Sequence, residues 1–358
     1  MIRLLTILGA RPQFIKAAVV SRALTEQGNS VIETIVHTGQ HFDYNMDKIF
    51  FNELNIPSPK YNLNINSLGH GAMTGLMLEK IEAIILDEKP NIVVVYGDTN
   101  STLAGALAAK KLHIKIAHIE AGLRSFNTSM PEEVNRILTD RMSDILYCPT
   151  DKALENLRLE GYQNFGCRIL KSGDVMFDLA KYYTPKIKTI DFPVSEVKNK
   201  EYVLCTIHRE ENTSRPERFS SIIAALNVIA EDTLVVLPAH PRIRSILPNV
   251  TINSNIKILE PLGYFGMMKL VDNCQLVLTD SGGLQKEAFF FKKNCVILRE
   301  QTEWTELVEH GFNMISGIER DHIYNCYKEM KHRDNNFDID LFGNGHAGEI
   351  IVDSLLQL

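Results

Sequence analysis

The sequence predicts an α/β protein of two doubly wound parallel sheets, and three observations lead there. Short β-branched runs alternate with amphipathic helical stretches along the whole chain. The strand candidates fall into two sets. The stretch 183–200 between the sets is polar and carries Pro185 and Pro193. Continuous apolar strands between amphipathic helices are the pattern of parallel sheets covered on both faces. A length of 358 residues fits two domains at roughly 100–200 residues each.

The first set of strand candidates is Leu4–Leu8, Ile32–Val36, Ile92–Tyr96, Ile114–Ile119 and Ile145–Cys148. The second is Tyr202–Thr206, Leu234–Leu237, Ile256–Leu259, Leu276–Thr279 and Cys295–Leu298. Each is a short run rich in Val, Ile and Leu, which suits a buried strand. Helical spacing of apolar residues marks Gly71–Leu86, Ser101–Lys111, Pro131–Met142, Arg218–Ala230 and Tyr264–Asn273. In open parallel sheets ligands sit outside the carboxyl ends of the strands. Function is therefore sought in the segments just beyond each strand, in a cleft between the two domains.

Composition narrows the function classes. Lys and Arg total 38 against 44 Asp and Glu, a net charge of −6. That balance argues against nucleic acid or an anionic membrane as the main partner. No apolar run approaches the roughly 18 residues that cross a bilayer. Met1–Gly9 reads as a first buried strand, not a signal peptide. The cysteines at 148, 167, 205, 274, 295 and 326 form no C-x-x-C pair. Cys148, Cys205, Cys274 and Cys295 lie in or beside apolar segments and read as reduced core residues of a cytosolic protein, with neither a disulfide frame nor a zinc site. There is no Walker A sequence. Gly343-Asn-Gly345-His-Ala-Gly348 matches a dinucleotide fingerprint, but no strand–helix unit can come after it so near the end.

Five strand ends carry chemistry. Gly9-Ala-Arg11-Pro-Gln13-Phe-Ile-Lys16 joins a glycine turn, a helix start and two cations, a pattern that suits an anion. Gly97-Asp98-Thr-Asn comes after another strand, with Asp98 either a helix cap or a functional acid. His118-Ile-Glu120-Ala-Gly-Leu-Arg124 ends a third, and Pro131-Glu132-Glu133-Val-Asn-Arg136 opens a helix. Acids in a first helical turn also have a purely structural use, since they meet the helix dipole. Neighbouring parallel strands would bring Asp98 and Glu120 to one rim, and several carboxylates meeting there suggest acid–base work. In the second half, His208-Arg209-Glu-Glu211-Asn212 lies just beyond a strand. Asp280-Ser281-Gly282-Gly283-Leu-Gln285-Lys-Glu287 runs from a strand into a helix. Glycines at a helix N-terminus let phosphate approach bare N–H groups. Glu287, one turn in, is placed to accept from sugar hydroxyls. A plain turn capped by Ser281 is the alternative. The residues alone imply a phosphorylated ligand facing several carboxylates and a histidine. They do not name a reaction.

Eight separated motifs in this order resemble the non-hydrolysing UDP-N-acetylglucosamine 2-epimerase family. They are Gly9-x-Arg11-Pro12 with Lys16, Thr38-Gly-Gln-His41, Gly97-Asp98-Thr99, His118-Ile-Glu120-Ala-Gly-Leu-Arg124 and Pro131-Glu132-Glu133-x-Asn135-Arg136. His208-Arg209-x-Glu211-Asn212, Thr279-Asp-Ser-Gly-Gly-x-Gln285-x-Glu287 and the terminal Gly-x-Gly-x-Ala complete the set. The resemblance runs essentially end to end. It implies two Rossmann-like domains of the glycosyltransferase-B type, with the active site in the interdomain cleft, and a cytoplasmic homodimer. It places an N-terminal domain at 1–172, a UDP-binding domain at 173–343, and a last helix, 344–358, packed back on the first domain. It also implies a mechanism. UDP is eliminated across C1–C2 to give a glycal, then re-added with protonation of C2 on the other face. By position, Asp98, Glu120 and Glu132 become the acid–base carboxylates, with His208 beside the leaving diphosphate. Arg11, Lys16 and His208 bind phosphate, Arg209 joins the substrate-binding residues, Ser281, Gly282, Gly283 and Glu287 hold phosphate and ribose, and Met267 stands where an aromatic flanks uracil in relatives. Neither a cofactor nor a metal is needed.

The chain departs from the commoner pattern at four places, one of them Met267 in place of the aromatic that flanks uracil in relatives. Gln13 stands where Glu is frequent, Trp304 stands where an Arg is usual, and Pro238-Ala-His240-Pro-Arg242 replaces Pro-x-His-x-Asn. The Gln13 and Trp304 pattern resembles the branch acting on UDP-2,3-diacetamido-2,3-dideoxy-glucuronic acid in surface-polysaccharide and O-antigen pathways. Replacing Glu by Gln13 is expected to relieve repulsion of a uronate, and Trp304 to reshape the sugar pocket. The other readings are a UDP-N-acetylglucosamine epimerase, a hydrolysing relative, a glycosyltransferase on the same scaffold, and a nucleotide-sugar sensor.

Overall fold

A computed structural model describes residues 1–40, 51, 53–239 and 241–357. It divides into two compact units, Met1–Tyr182 with Asp340–Leu358, and Tyr183–Ile339. The junctions expected at 172/173 and 343/344 both fall inside the first unit by this division. A helix, Val175–Thr189, runs through the first of the observed boundaries.

In the first unit the strands are β1 (Ile2–Leu8), β2 (Val31–His37), β3 (Tyr61–Asn62), β4 (Ile92–Tyr96), β5 (Lys115–Ile119), β6 (Ile145–Cys148) and β7 (Arg168–Lys171). They form one parallel sheet in the order β3-β2-β1-β4-β5-β6-β7. In the second unit they are β8 (Tyr202–Thr206), β9 (Leu234–Pro238), β10 (Ile256–Leu259), β11 (Leu276–Thr279), β12 (Cys295–Ile297) and β13 (Asn313–Ile315). That sheet is also parallel, in the order β10-β9-β8-β11-β12-β13. Both orders have the Rossmann winding, which reverses beside the first strand of each unit. The reversal lies between β1 and β4 in one unit and between β8 and β11 in the other.

Every strand read from the sequence is present. The three it missed, β3, β7 and β13, all sit at sheet edges. They are two to four residues long, and short edge strands carry little of the apolar signal by which a buried strand is read. The cores form where the sequence puts its apolar runs. Leu5, Ile7, Val93 and Val95 pack with Met77, Ile81, Ala104 and Ala108 in the first unit. Val203, Cys205, Leu237 and Leu278 pack with Ile222, Leu226 and Ile229 in the second. Cys148, Cys205, Cys274 and Cys295, read as lying in or beside apolar segments, are buried.

The C-terminal helix Ala347–Leu356 is built into the first unit. Its Gly348 N–H donates to Asp178 Oδ2 at 2.8 Å, and Tyr147 Oη donates to Ser354 Oγ at 3.0 Å. A Cβ on Gly348 would come within 2.7 Å of Val19 Cγ1. The glycine that completes the false dinucleotide fingerprint thus serves close helix packing. Among the described residues no helix is long and apolar enough to cross a membrane.

Candidate active site

The first unit gathers its charged residues around its reversal point. After β1 the chain turns at Gly9 into the helix Arg11–Glu26, which begins with Arg11 and Pro12. Gly9 has no room for a side chain, since a Cβ there would lie 2.0 Å from Ser101 Oγ. Lys16, one turn along the helix, is buried and paired with Glu120. Glu120 comes directly after β5 with a left-handed φ of 71°. A non-glycine residue in that region carries strain, and such strain clusters at functional sites. Gly97, also left-handed at φ 60°, lies beneath the pair. A Cβ there would stand 3.2 Å from both Glu120 Oε2 and Lys16 Nζ.

Asp98 does not cap the next helix. Thr99 does, accepting the Thr102 N–H at 3.3 Å. The Asp98 side chain, 30% exposed, instead pairs with the Arg136 guanidinium. β4 and β5 are neighbours, so Asp98 and Glu120 do reach one rim. Glu132 and Glu133 part company. Glu133 is buried and accepts from the Ser125 N–H, the Ser125 hydroxyl, the Phe126 N–H and Arg136 Nη1, each at 2.9 Å. Glu132 is half-buried and has no hydrogen-bond or ion-pair partner among the described residues. Of the two acids at this helix start, only the second is spent on hydrogen bonds among the described residues.

A buried network stands behind this rim. His118 faces Asp140 through Nδ1 and the Gly97 carbonyl through Nε2, both at 2.7 Å. Asp140 also accepts from Arg124 Nη1 at 2.7 Å and from the Gly122 N–H at 3.1 Å. Burial alone would raise the Asp140 pKa. The bond and charge of His118, joined by Arg124, outweigh it and hold the carboxyl below its ordinary range. This network ties the end of β5 to the Gly97 turn.

The structure corrects two expectations here. Gln13 is 1% exposed, and its side chain is committed to the protein. Its Oε1 accepts from the Gly9 and Ala10 N–H groups at 2.7 and 3.0 Å. Its Nε2 donates to the Tyr96 carbonyl, Thr99 Oγ1 and Thr102 Oγ1 at 2.8–3.0 Å. Gln13 therefore staples the β1 turn to the β4 turn and does not face a substrate charge. A side chain read as a contact is an internal brace, because its partners at 96, 99 and 102 are distant in sequence. Trp304, at 2% exposure, is likewise a packed residue and not an open pocket wall. The Lys286 ammonium sits 4.1 Å from its ring centroid.

The second unit builds its rim differently. His208 lies just beyond β8 with its side chain 49% exposed. Its Nδ1 lies 2.7 Å from Asp280 Oδ1, which turns the other ring nitrogen, Nε2, away from the carboxylate. Asp280, at the end of β11, is fully buried. It also accepts from the N–H groups of His208 and Arg209 and from Asn212 Nδ2 at 3.0–3.1 Å. Burial again works to raise its pKa, and the His208 charge and these hydrogen bonds reverse that, leaving it lowered. The sequence named His208 but gave Asp280 no role. Its partner lies 72 positions away, so only strand adjacency reveals the pair. Arg209, half-buried, begins the short helix Glu210–Thr213 as its N-cap.

Next along the rim, Ser281 caps the helix Gly282–Phe290 by accepting the Leu284 N–H at 3.3 Å. The capping reading of Ser281 therefore holds. The N–H groups of Gly282 and Gly283 have no partner among the described residues. A Cβ at 282 would lie 2.1 Å from Glu303 Oε1, so any side chain there would push that carboxylate aside. Glu287 is buried one turn further in, and Met267 is half-buried in the first turn of the helix Tyr264–Asn273. His41 and His240 lie outside the described residues.

Two Rossmann-wound sheets in one chain, each with polar groups at its reversal point, define a protein of the glycosyltransferase-B class. A glycosyltransferase from Streptomyces nogalater shares that fold at a TM-score of 0.52 and 13% identity, over 99% of both chains. The chain belongs to the UDP-N-acetylglucosamine 2-epimerase family, whose profile matches residues 22–356. It is 51% identical over 357 residues, 99% of this chain and 100% of the relative, to the UDP-2,3-diacetamido-2,3-dideoxy-D-glucuronate 2-epimerase of Pseudomonas aeruginosa. It is also similar to the Methanocaldococcus jannaschii UDP-GlcNAc 2-epimerase in complex with UDP-GlcNAc and UDP. That similarity has a TM-score of 0.92 and 42% identity, covering 100% of both chains.

Proposed function

We propose that this chain is a UDP-sugar 2-epimerase that converts UDP-2,3-diacetamido-2,3-dideoxy-glucuronate to its manno epimer. The observation that carries the choice of sugar is the 51% identity, over nearly the whole chain, to an enzyme named for that substrate. The choice of chemistry is supported by the carboxylates at 98, 120 and 132 around one rim. The C2 proton of such a sugar has no neighbouring carbonyl to stabilise a carbanion. Elimination avoids that cost. A carboxylate takes the C2 proton, the C2–H electron pair forms the C1=C2 bond, and the C1–O pair leaves with UDP. Re-addition of UDP to C1, with a proton returned to C2 on the opposite face, gives the epimer with atoms balanced and no redox partner.

In this reading Asp98, Glu120 and Glu132 work on the sugar. Arg11, Lys16, Arg209 and His208 Nε2 meet negative charge, and the Gly282 and Gly283 N–H groups receive a phosphate oxygen. Ser281 and Glu287 line the nucleotide side, and Met267 flanks the base. Gln13 and Trp304 act at one remove, through the turns they brace. The protein works as a cytosolic homodimer that supplies a sugar for surface polysaccharide.

A second reading is favoured by the solved relative that binds UDP-GlcNAc. In it the substrate is UDP-N-acetylglucosamine. One experiment separates the two. Purified protein is incubated with each UDP-sugar in D2O and followed by NMR. The proposal expects deuterium at C2, a mixture of intact epimers, and a higher kcat/KM on the uronate. Equal or better use of UDP-GlcNAc would reject the sugar assignment. Free sugar with stoichiometric UDP would make the chain a hydrolase, and binding without exchange would make it a sensor.

A further inference from the structure

The first two turns of the helix Pro131–Met142 grip both segments that carry the other carboxylates. Arg136 is 3% exposed, and its guanidinium spans two acids. Nη2 pairs with the Asp98 carboxylate, and Nη1 donates to Glu133 Oε2 at 2.9 Å. Glu133 spends its other acceptor sites on the backbone N–H groups of Ser125 and Phe126 and on the Ser125 hydroxyl. Asn135 Nδ2 donates to the Asp98 carbonyl at 2.9 Å. The helix start that presents Glu132 therefore holds, through its second turn, the backbone and the side chain of Asp98. It also holds the loop that leaves Glu120.

We propose that Arg136, anchored on Glu133, is the positioning residue that aims the Asp98 carboxylate at the sugar. The proposal rests on the acid–base reading of Asp98. A planar guanidinium bridges two carboxylates at fixed separation, whereas a lysine ammonium is a point charge that cannot span both. Charge alone would be replaceable by lysine. Aim would not be.

The test uses the full chain and the variants Arg136→Lys, Arg136→Met, Asp98→Asn and Asp98→Asn/Arg136→Lys. Melting temperature, UDP affinity, kcat, KM and C2 deuterium exchange are measured for each. Arg136→Lys is expected to keep its melting temperature within a few degrees and its UDP affinity within about threefold. Its kcat falls about 10²-fold, the cost of an active group displaced by about an ångström. The double variant falls little below Asp98→Asn alone, because Arg136 acts through Asp98. Full kcat in the lysine and methionine variants overturns the proposal. So do additive losses in the double variant, or loss of folding or UDP binding in step with kcat, which marks a structural role. Wild-type protein that exchanges no C2 proton rejects the epimerase reading, and this proposal with it. An active wild type with an active Arg136→Met rejects the proposal alone.

Discussion

The two reversal points share a topology and differ in material. In the first unit the rim is made of charged side chains paired with one another, Lys16 with Glu120 and Asp98 with Arg136. In the second it is made of backbone N–H groups and one exposed imidazole backed by a buried carboxylate. Paired, partly buried carboxylates hold fixed positions against a reacting carbon. Bare N–H groups at a helix start make a shallow positive site that a diphosphate can enter and leave. In the proposed reading the same winding carries the acid–base carboxylates in one unit and the bare N–H groups that receive phosphate in the other. The difference lies in the residues just past the strand, a Gly-Asp or His-Ile-Glu turn against an Asp-Ser-Gly-Gly turn.

The sharpest way to break this contrast is to remove acids from the first rim. Asp98→Asn, Glu120→Gln and Glu132→Gln are each expected to lower turnover by about 10²–10⁴-fold, with UDP affinity retained. C2 deuterium exchange and calorimetric UDP titration read the two effects separately. Near-normal exchange in all three variants would remove the assignment.

The matching cut in the second rim is Asp280→Asn. It removes the negative charge beside His208 Nδ1 and turns one of the two oxygens that accept from His208 and Arg209 into an NH2 donor. UDP affinity is expected to fall about tenfold, or about 1.4 kcal/mol, measured by titration. Unchanged UDP binding would show that the dyad plays no part in holding the anion.

Gln13→Glu sharpens the point that this side chain is a brace. A carboxylate would face the Tyr96 carbonyl in place of an N–H donor. The expected loss is about 1–3 kcal/mol of stability, read as a lower denaturation midpoint. Activity should fall alike on both UDP-sugars. A selective loss on the uronate would restore a direct charge effect.

Gly97→Ala is expected to cost less, about 1–2 kcal/mol for a left-handed residue with a side chain. Its Cβ would also press on the Lys16–Glu120 pair. Turnover should fall further than stability does, and a wild-type kcat would show that the pair tolerates displacement.

The smallest effect is on acid stability. Asp140 and Asp280 both have folded pKa values below their ordinary value. A carboxyl depressed in the fold gives stability that is complete above its unfolded pKa, about 3.9. That contribution is lost as pH falls through the folded value. The wild-type melting temperature should drop more steeply below about pH 4 than that of Asp280→Asn. Parallel curves would reject the linkage.

Much of the site was legible because its residues come directly after strands. Asp98, Glu120, His208 and Ser281 each stand within a few residues of an apolar run, and the period of the run locates its end. The edge strands β3, β7 and β13 were not legible, because so few residues carry the pattern. Charge was legible as composition but not as pairing. Nothing local tells Glu132 from Glu133, yet one is half-buried without a partner among the described residues and the other is fully enclosed.

The sequence by itself determined two parallel α/β sheets and the strand ends where chemistry collects. Hydrophobic periodicity and turn residues are local properties, and they suffice for that. Only the tertiary structure decided which polar side chains meet. Gln13 reaches Thr102, His208 reaches Asp280, and Arg136 reaches Asp98 across separations of 89, 72 and 38 positions. Those meetings depend on strand order, because parallel neighbours in a sheet are set by crossover connections and not by nearness along the chain. A polar side chain becomes a brace, a positioning group or a reacting acid according to the partner that the strand order delivers.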